Sequence, residues 1–99
     1  MQWMPKELTP AERQALKGRA HRLDPVVMIG ADGLTPGVRA EIGRALDAHE
    51  LIKIRVMSGD GDTRERLLRE ICAAAGASPV QHIGKILVVY RERREESGT

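Results

Sequence analysis

Residues 26–38 read V-V-M-I-G-A-D-G-L-T-P-G-V, a short apolar run followed by two glycines and a helix-start signal. The apolar run contains no polar residue, which predicts a strand that is buried on both faces. Gly30 and Gly33 permit a positive φ or a close approach of the backbone to a ligand. Thr35 is a typical N-cap residue, and the proline after it fits the first position of a helix. A glycine turn that leads into a helix N-terminus favours phosphate, so this stretch carries the main functional signal.

Helices and strands alternate on either side of this stretch. Capping signals and apolar residues at helical spacing predict helices over about 10–21 and 36–49, and a third between the N-cap residue Asp62 and Gly76. Glu65 stands at the capping-box position of the third helix. Strands are predicted at 26–29, 51–57, 79–83 and 86–90, the last two joined by a Gly84-Lys85 hairpin turn.

The element order α-β-α-β-α-β-β predicts one compact α/β domain with a four-stranded mixed sheet and three helices. The first two crossovers favour parallel neighbours, and the final hairpin is antiparallel. The strand at 51–57 alternates from Ile52 onward, so its apolar residues point one way while Lys53 and Arg55 point the other. This pattern predicts two cations on an otherwise solvent-exposed sheet face.

Composition limits the classes of function. The chain has 99 residues and a single cysteine, Cys72, which predicts one domain without a disulfide. No apolar targeting stretch begins the sequence and none reaches the roughly 18 residues of a membrane helix, so we expect a cytoplasmic protein with no membrane contact. The net charge is only +2, which says little about partners. Aromatic content is 2%, which argues against folds that stack bases on aromatic side chains.

Catalysis has little support in the sequence. The three histidines, His21, His49 and His82, fall in three different elements, and no Cys/His pair has metal-ligand spacing. Cys72 lies on the apolar stripe of the third helix, which is typical of an inert buried thiol. The G-x-x-G stretch lacks both the dinucleotide fingerprint and the P-loop lysine, and a nucleotide-binding enzyme would need an acid–base pair that the sequence does not offer. We therefore predict that the protein is not an enzyme and uses no cofactor or metal.

Five blocks of sequence, taken in order, resemble one known family. They are L-K-G-R-A-H from Leu16, P-V-V-M-I-G from Pro25, G-L-T-P-G-V from Gly33, H-E-L-I-K-I-R from His49 and I-G-K-I-L-V-V-Y-R from Ile83. Together they resemble the CRM domain (chloroplast RNA splicing and ribosome maturation), whose free-standing bacterial members are the YhbY-like proteins. The resemblance implies a fold similar to the C-terminal domain of translation initiation factor three. It divides the chain into a lead (1–8), an RNA-binding domain (9–91) and a charged flexible tail (92–99).

The resemblance also implies RNA binding, with bacterial members associated with precursors of the large ribosomal subunit. The family's glycine loop corresponds to residues 30–33, its helix lysine to Lys17, and its strand cations to Lys53 and Arg55. Family loops often carry lysine or asparagine where this chain has Ala31 and Asp32. The loop is also similar to the clamp of KH domains, although here it joins a strand to a helix. The predicted RNA-binding residues are Gly30, Ala31, Asp32, Gly33, Lys17, Arg19, Arg22, Lys53, Arg55, Lys85 and Arg91.

Two functions follow as expectations. The first is a monomer that binds ribosomal RNA or a pre-large-subunit particle, mainly through RNA shape and phosphate contacts. The alternative is a protein-docking module that binds a ribosomal protein or an assembly factor. The mild net charge and Asp32 favour the alternative, whereas the strand cations and the family resemblance oppose it.

Overall fold

A computed structural model describes residues 7–93 of the chain, and residues 1–6 of the predicted lead and 94–99 of the predicted tail lie outside this range. The predicted order of three helices and four strands is confirmed. The elements are α1 (Pro10–Ala20), β1 (Pro25–Ile29), α2 (Pro36–His49), β2 (Leu51–Val56), α3 (Gly61–Ala75), β3 (Ser78–Ile83) and β4 (Ile86–Tyr90). None of the helices within residues 7–93 is long and apolar enough to cross a membrane.

The four strands form one mixed sheet in the order β1-β2-β4-β3. β1 and β2 are parallel neighbours, as predicted for the first crossover. The prediction is wrong for the second crossover, because β3 lies beside β4 and not beside β2. The α3 crossover carries β3 one strand position farther out, and the short hairpin turn then brings β4 back into the space between them.

Helices α2 and α3 cover one face of the sheet and enclose the larger hydrophobic core. The alternating residues Ile52, Ile54 and Val56 of β2 point into this core and are at most 2% exposed. Ile42 and Leu46 of α2 pack against them from above, one helical turn apart. This part of the fold follows the periodicity of the sequence closely.

Helix α1 covers part of the opposite face. Leu16 and Ala20 of α1 pack with Leu51 and Val88 of the sheet in a second, smaller cluster. Leu8, from the predicted lead, is also buried there. The prediction that the face bearing Lys53 and Arg55 is otherwise solvent-exposed is therefore wrong for the half under α1.

Strand β1 is an edge strand and is only half buried. Val27 and Ile29 are buried, whereas Val26 is 46% exposed and Met28 is 58% exposed. The prediction of burial on both faces is wrong because α1 packs against β2 and β3. An apolar run alone does not distinguish a central strand from an edge strand.

Two of the three predicted helix starts are confirmed and one shifts. Thr9 and Glu12 form the predicted capping box of α1, and the Thr35 hydroxyl caps α2. The cap of α3 is Asp60 and not Asp62, because Asp60 Oδ1 accepts the Thr63 N–H at 2.8 Å and the helix begins at Gly61. Asp62 thus lies in the first turn of α3, where its negative charge interacts favourably with the helix dipole.

Candidate nucleic-acid interface

The turn at residues 30–33 follows β1 at the edge of the sheet where the parallel strands end. The Gly33 N–H donates to the Gly30 carbonyl oxygen at 3.1 Å, which closes a β-turn. Gly33 has a φ of 73°, in the left-handed region that favours glycine. A Cβ atom added at either glycine would meet no heavy atom of the neighbouring structure within 4 Å. The space in front of the turn is therefore open to a ligand.

The start of α2 offers fewer donors than the sequence predicts. Pro36 has no N–H, and the Val38 N–H donates to the Thr35 hydroxyl at 3.2 Å. The Thr35 N–H donates to the Gly33 carbonyl oxygen. Within residues 7–93, the Gly37 N–H is the first-turn donor left without a protein partner. The cap that starts the helix thus uses the donors that a phosphate would need.

Two further amides are available in the turn itself. The N–H groups of Ala31 and Asp32 have no hydrogen-bond partner among the described residues, and both residues are exposed. The Asp32 side chain makes no hydrogen bond or ion pair in the same part of the chain. The turn therefore combines free donors, which attract a phosphate, with one negative charge, which opposes it.

A cavity of about 290 Å³ adjoins the turn on the side of α3. Arg66 and Glu70 line it, together with Gly30 and Thr63. Sequence reasoning did not select Arg66, whose Nη2 is 3.4 Å from the Thr63 hydroxyl. Its position in the sequence could have indicated Arg66, because it lies near the start of a helix that begins at the same edge of the sheet as the turn.

Lys17 and Lys53 converge on a groove between α1 and the sheet. The groove has a volume of about 430 Å³, and no acidic residue of the described chain lines it. Neither lysine forms an ion pair within residues 7–93. Gln14 and His21 of α1 also line the groove and were not selected from the sequence. Two lysines from distant parts of the chain are therefore free to attract an anion at the same place.

Arg55 extends this positive surface across the part of the sheet that α1 leaves open. Strand pairing aligns Arg55 with Met28 of β1 on one side and with Ile86 of β4 on the other, and Ile86 pairs in turn with Ile83 of β3. Arg55 is exposed and forms no ion pair in the described part of the chain. These four residues form a row across the sheet, in which the cation Arg55 lies among three apolar side chains.

Lys85 lies in the hairpin turn at the same edge of the sheet. Its carbonyl oxygen accepts the Val56 N–H at 2.8 Å, which holds the turn against β2. His82 fixes the turn from the other side, with Nδ1 2.8 Å from Glu65 Oε1 and Nε2 3.1 Å from the Gly84 carbonyl oxygen. We call Lys17, Lys53, Arg55 and Lys85, with Met28, Ile83 and Ile86, the cationic sheet face.

Three of the predicted RNA-binding residues lie elsewhere. Arg19 is two residues from Lys17 on α1 and so projects from the opposite flank of the helix. Arg22 lies in the turn between α1 and β1, so the length of β1, roughly 13 Å, separates that turn from the glycine turn. Arg91 lies on the side of α2 and α3, where its guanidinium donates to the carbonyl oxygens of Ala75 and Gly43.

Two further observations concern the titratable side chains of residues 7–93. Burial raises the pKa of the Cys72 thiol to about 11, so the thiol stays protonated at neutral pH. Within the described residues, no three His, Cys, Asp or Glu side chains are placed to hold a metal ion. The geometry is that of a small α/β domain with a positively charged surface on one side of its sheet.

The chain matches the CRS1 / YhbY (CRM) domain over residues 8–91, and it belongs to this family. It is 49% identical over 88 residues to an RNA-binding protein from Haemophilus influenzae, with 89% of each chain covered. It is 44% identical over 85 residues to a protein from Pseudomonas aeruginosa that is named a probable RNA-binding protein, covering 86% of this chain and 82% of that one. The names of these relatives refer to RNA binding and not to catalysis.

A solved structure has the same fold. The solution structure of a Staphylococcus aureus protein, proposed to bind RNA, superimposes with a TM-score of 0.81 at 32% identity. The similarity covers 92% of this chain and 95% of that protein. The α/β architecture predicted from the order of elements is thereby confirmed.

Proposed function

We propose that this protein binds ribosomal RNA of precursor large ribosomal subunits and acts in their assembly, in the cytoplasm and as a monomer. The observation that carries this function is the cationic sheet face, where Lys17 and Lys53 line one groove, Arg55 follows along β2 and Lys85 lies in the adjacent hairpin turn, none with an ion-pair partner in residues 7–93. Relatives at 49% and 44% identity that are named for RNA binding support it. The ribosomal target follows from the family resemblance of the sequence.

Affinity comes mainly from charge. Lys17, Lys53, Arg55 and Lys85 displace counterions from the RNA backbone, and none of them must first break an ion pair within the described chain. The free N–H groups of Ala31, Asp32 and Gly37 bind a backbone phosphate and fix the register of the RNA. Because Asp32 repels that phosphate, the turn contributes more to position than to affinity.

The protein has no chemical step to perform in this function. Its three helices and four strands hold the four cations at fixed spacing, so RNA with a matching phosphate arrangement is bound without a large conformational cost. Binding then stabilises that RNA conformation during assembly. Because phosphates dominate the contacts, recognition depends mainly on the shape of the RNA.

The test is binding of the purified protein to large-subunit ribosomal RNA over a series of salt concentrations, with tRNA as competitor. We expect tight, salt-sensitive binding that tRNA does not displace. Absence of binding at low salt by the folded protein would overturn the function. RNase treatment of a native particle preparation tests the docking alternative, because a protein-docked factor would stay with its partner after the RNA is digested.

A further inference from the structure

The uncovered half of the cationic sheet face carries apolar side chains that phosphate binding does not use. Met28 and Ile83 are each 58% exposed, although both lie within strands of the sheet. They stand at the two ends of the cross-strand row Met28–Arg55–Ile86–Ile83. With strands about 4.8 Å apart, the row is roughly 14 Å wide.

Building on the RNA-binding function proposed above, we infer that this row binds unpaired RNA bases, which lie flat on Met28, Arg55, Ile86 and Ile83. The flat guanidinium of arginine stacks on bases, and the thioether of methionine contacts aromatic rings favourably. A four-stranded sheet of this width accommodates two or three stacked bases in other RNA-binding folds. The low aromatic content of the chain therefore does not exclude base contacts.

The charges beside the row fit the rest of a nucleotide. Lys53 lies one pleat from Arg55 on the same strand face, and the groove that it shares with Lys17 adjoins Ile83 and Ile86. The glycine turn begins two residues after Met28, a distance of about 7 Å along the chain. Bases on the row thus leave their phosphates within reach of cations on one side and free amides on the other.

Other occupants of the row fit less well. A second copy of this chain laid face to face would bring Lys53 and Arg55 against their own counterparts, which is unfavourable. A paired RNA helix would present phosphates to the cations but would keep its base faces stacked inside. An unpaired strand supplies both the negative charge and the flat apolar faces.

The experiment compares two probes with the full-length protein: a single-stranded oligoadenylate of about ten nucleotides and a paired RNA duplex of the same length. The variant is Met28→Ser with Ile83→Ser, which removes apolar contact and leaves every charge in place. Leu23→Ser is the matched control, since Leu23 is 38% exposed but lies in the turn before β1. Methyl NMR of the wild-type protein follows ring-current shifts at Met28 and Ile83.

We expect the double variant to lose about tenfold in affinity for the single strand, with duplex affinity and the salt slope unchanged. The methyl resonances of Met28 and Ile83 should move upfield when oligoadenylate binds, and those of Leu23 should not. Equal losses on both probes, or single-strand binding without upfield shifts, would overturn the base contact while RNA binding itself stands. If the wild type binds neither probe nor ribosomal RNA, the RNA-binding function falls as well.

Discussion

The two faces of the sheet hold their positive charges in different ways. On the side of α2 and α3, Arg91 is 20% exposed, donates to two backbone carbonyl oxygens and lies 2.6 Å from Asp47 Oδ1. On the side of α1, Arg55 is exposed and has no such partner in the described residues. Arg91 joins α2 and the end of α3 to the chain after β4, whereas Arg55 remains available to an external anion. The same residue type therefore holds elements of the fold together on one face and is exposed without an ion-pair partner in the described residues on the other.

The largest expected difference between the faces is in stability. Ile54→Ala removes a side chain that is fully buried at the centre of the sheet, so we expect a loss of about 2–5 kcal/mol in the free energy of unfolding. Met28→Ala, on the open part of the other face, should change it by less than about 0.5 kcal/mol. Urea unfolding of both variants measures the two losses. Similar losses would show that the α1 side is as closed as the other.

The next effect concerns RNA affinity. Lys53→Gln with Arg55→Gln should weaken RNA binding and reduce the slope of log affinity against log salt by about one for each cation removed. Neither side chain has a partner in the described chain, so the free energy of unfolding should stay within about 0.5 kcal/mol. A salt series with the variant and the wild type tests this. An unchanged slope would remove both cations from the interface.

Arg91→Gln is the matched substitution on the opposite face. It removes the hydrogen bonds from the guanidinium to the Ala75 and Gly43 carbonyl oxygens and to Asp47, so we expect a loss of about 1–3 kcal/mol in the free energy of unfolding. The salt slope of RNA binding should not change. A variant that keeps its stability but loses RNA affinity would assign Arg91 to the interface, as the sequence first suggested.

Periodicity and capping signals predicted the elements of the fold, because they depend on residues close together in the chain. The same signals did not reveal that β4 lies between β2 and β3 or that β1 is an edge strand. Both features depend on which elements meet in space, as does the partial cover that α1 gives to the sheet. The cap at Asp60 was missed because two aspartates, 60 and 62, both suit the local pattern.

The residues of the candidate site also differ in whether the sequence alone could place them. Alternation in β2 placed Lys53 and Arg55 together on one face from sequence alone. That Lys17 shares a groove with Lys53, and that Arg19 does not, depends on which flank of α1 faces the sheet. The partners of the Arg91 guanidinium are 16, 44 and 48 residues away in the chain, so no local pattern could have identified them.

A smaller effect separates the two glycines of the turn. Gly33→Ala places a side chain at a φ of 73°, so we expect a loss of about 1 kcal/mol in the free energy of unfolding. Gly30 does not have a positive φ, and a Cβ there meets no atom within 4 Å, so Gly30→Ala should be nearly neutral. Thermal unfolding compares them. Equal losses would indicate that another backbone conformation holds the turn.

A larger side chain at Gly30 tests RNA binding and not the stability of the fold. Gly30→Leu fills the open space in front of the turn, so it should lower RNA affinity while the protein stays folded. Gly43→Leu offers a comparison in open space on α2, which packs against the opposite face of the sheet. Full RNA affinity in a folded Gly30→Leu variant would exclude the turn from the interface.

The smallest expected effect is the pH dependence of the α3 cap. The hydrogen bond from the Thr63 backbone N–H lowers the pKa of Asp60 from its ordinary value of 3.8. Because the folded pKa lies below the unfolded one, this contribution to stability is fully present above pH 3.8 and is lost as the pH falls through the folded pKa.

Asp60→Asn keeps a capping oxygen but does not titrate, so the stability advantage of the wild type over this variant should shrink in acid. Asp62→Asn is the control, since Asp60 and not Asp62 holds the helix start. Unfolding midpoints measured from neutral to acidic pH decide the point: a constant difference between wild type and Asp60→Asn would mean that the charge of Asp60 does not strengthen the cap.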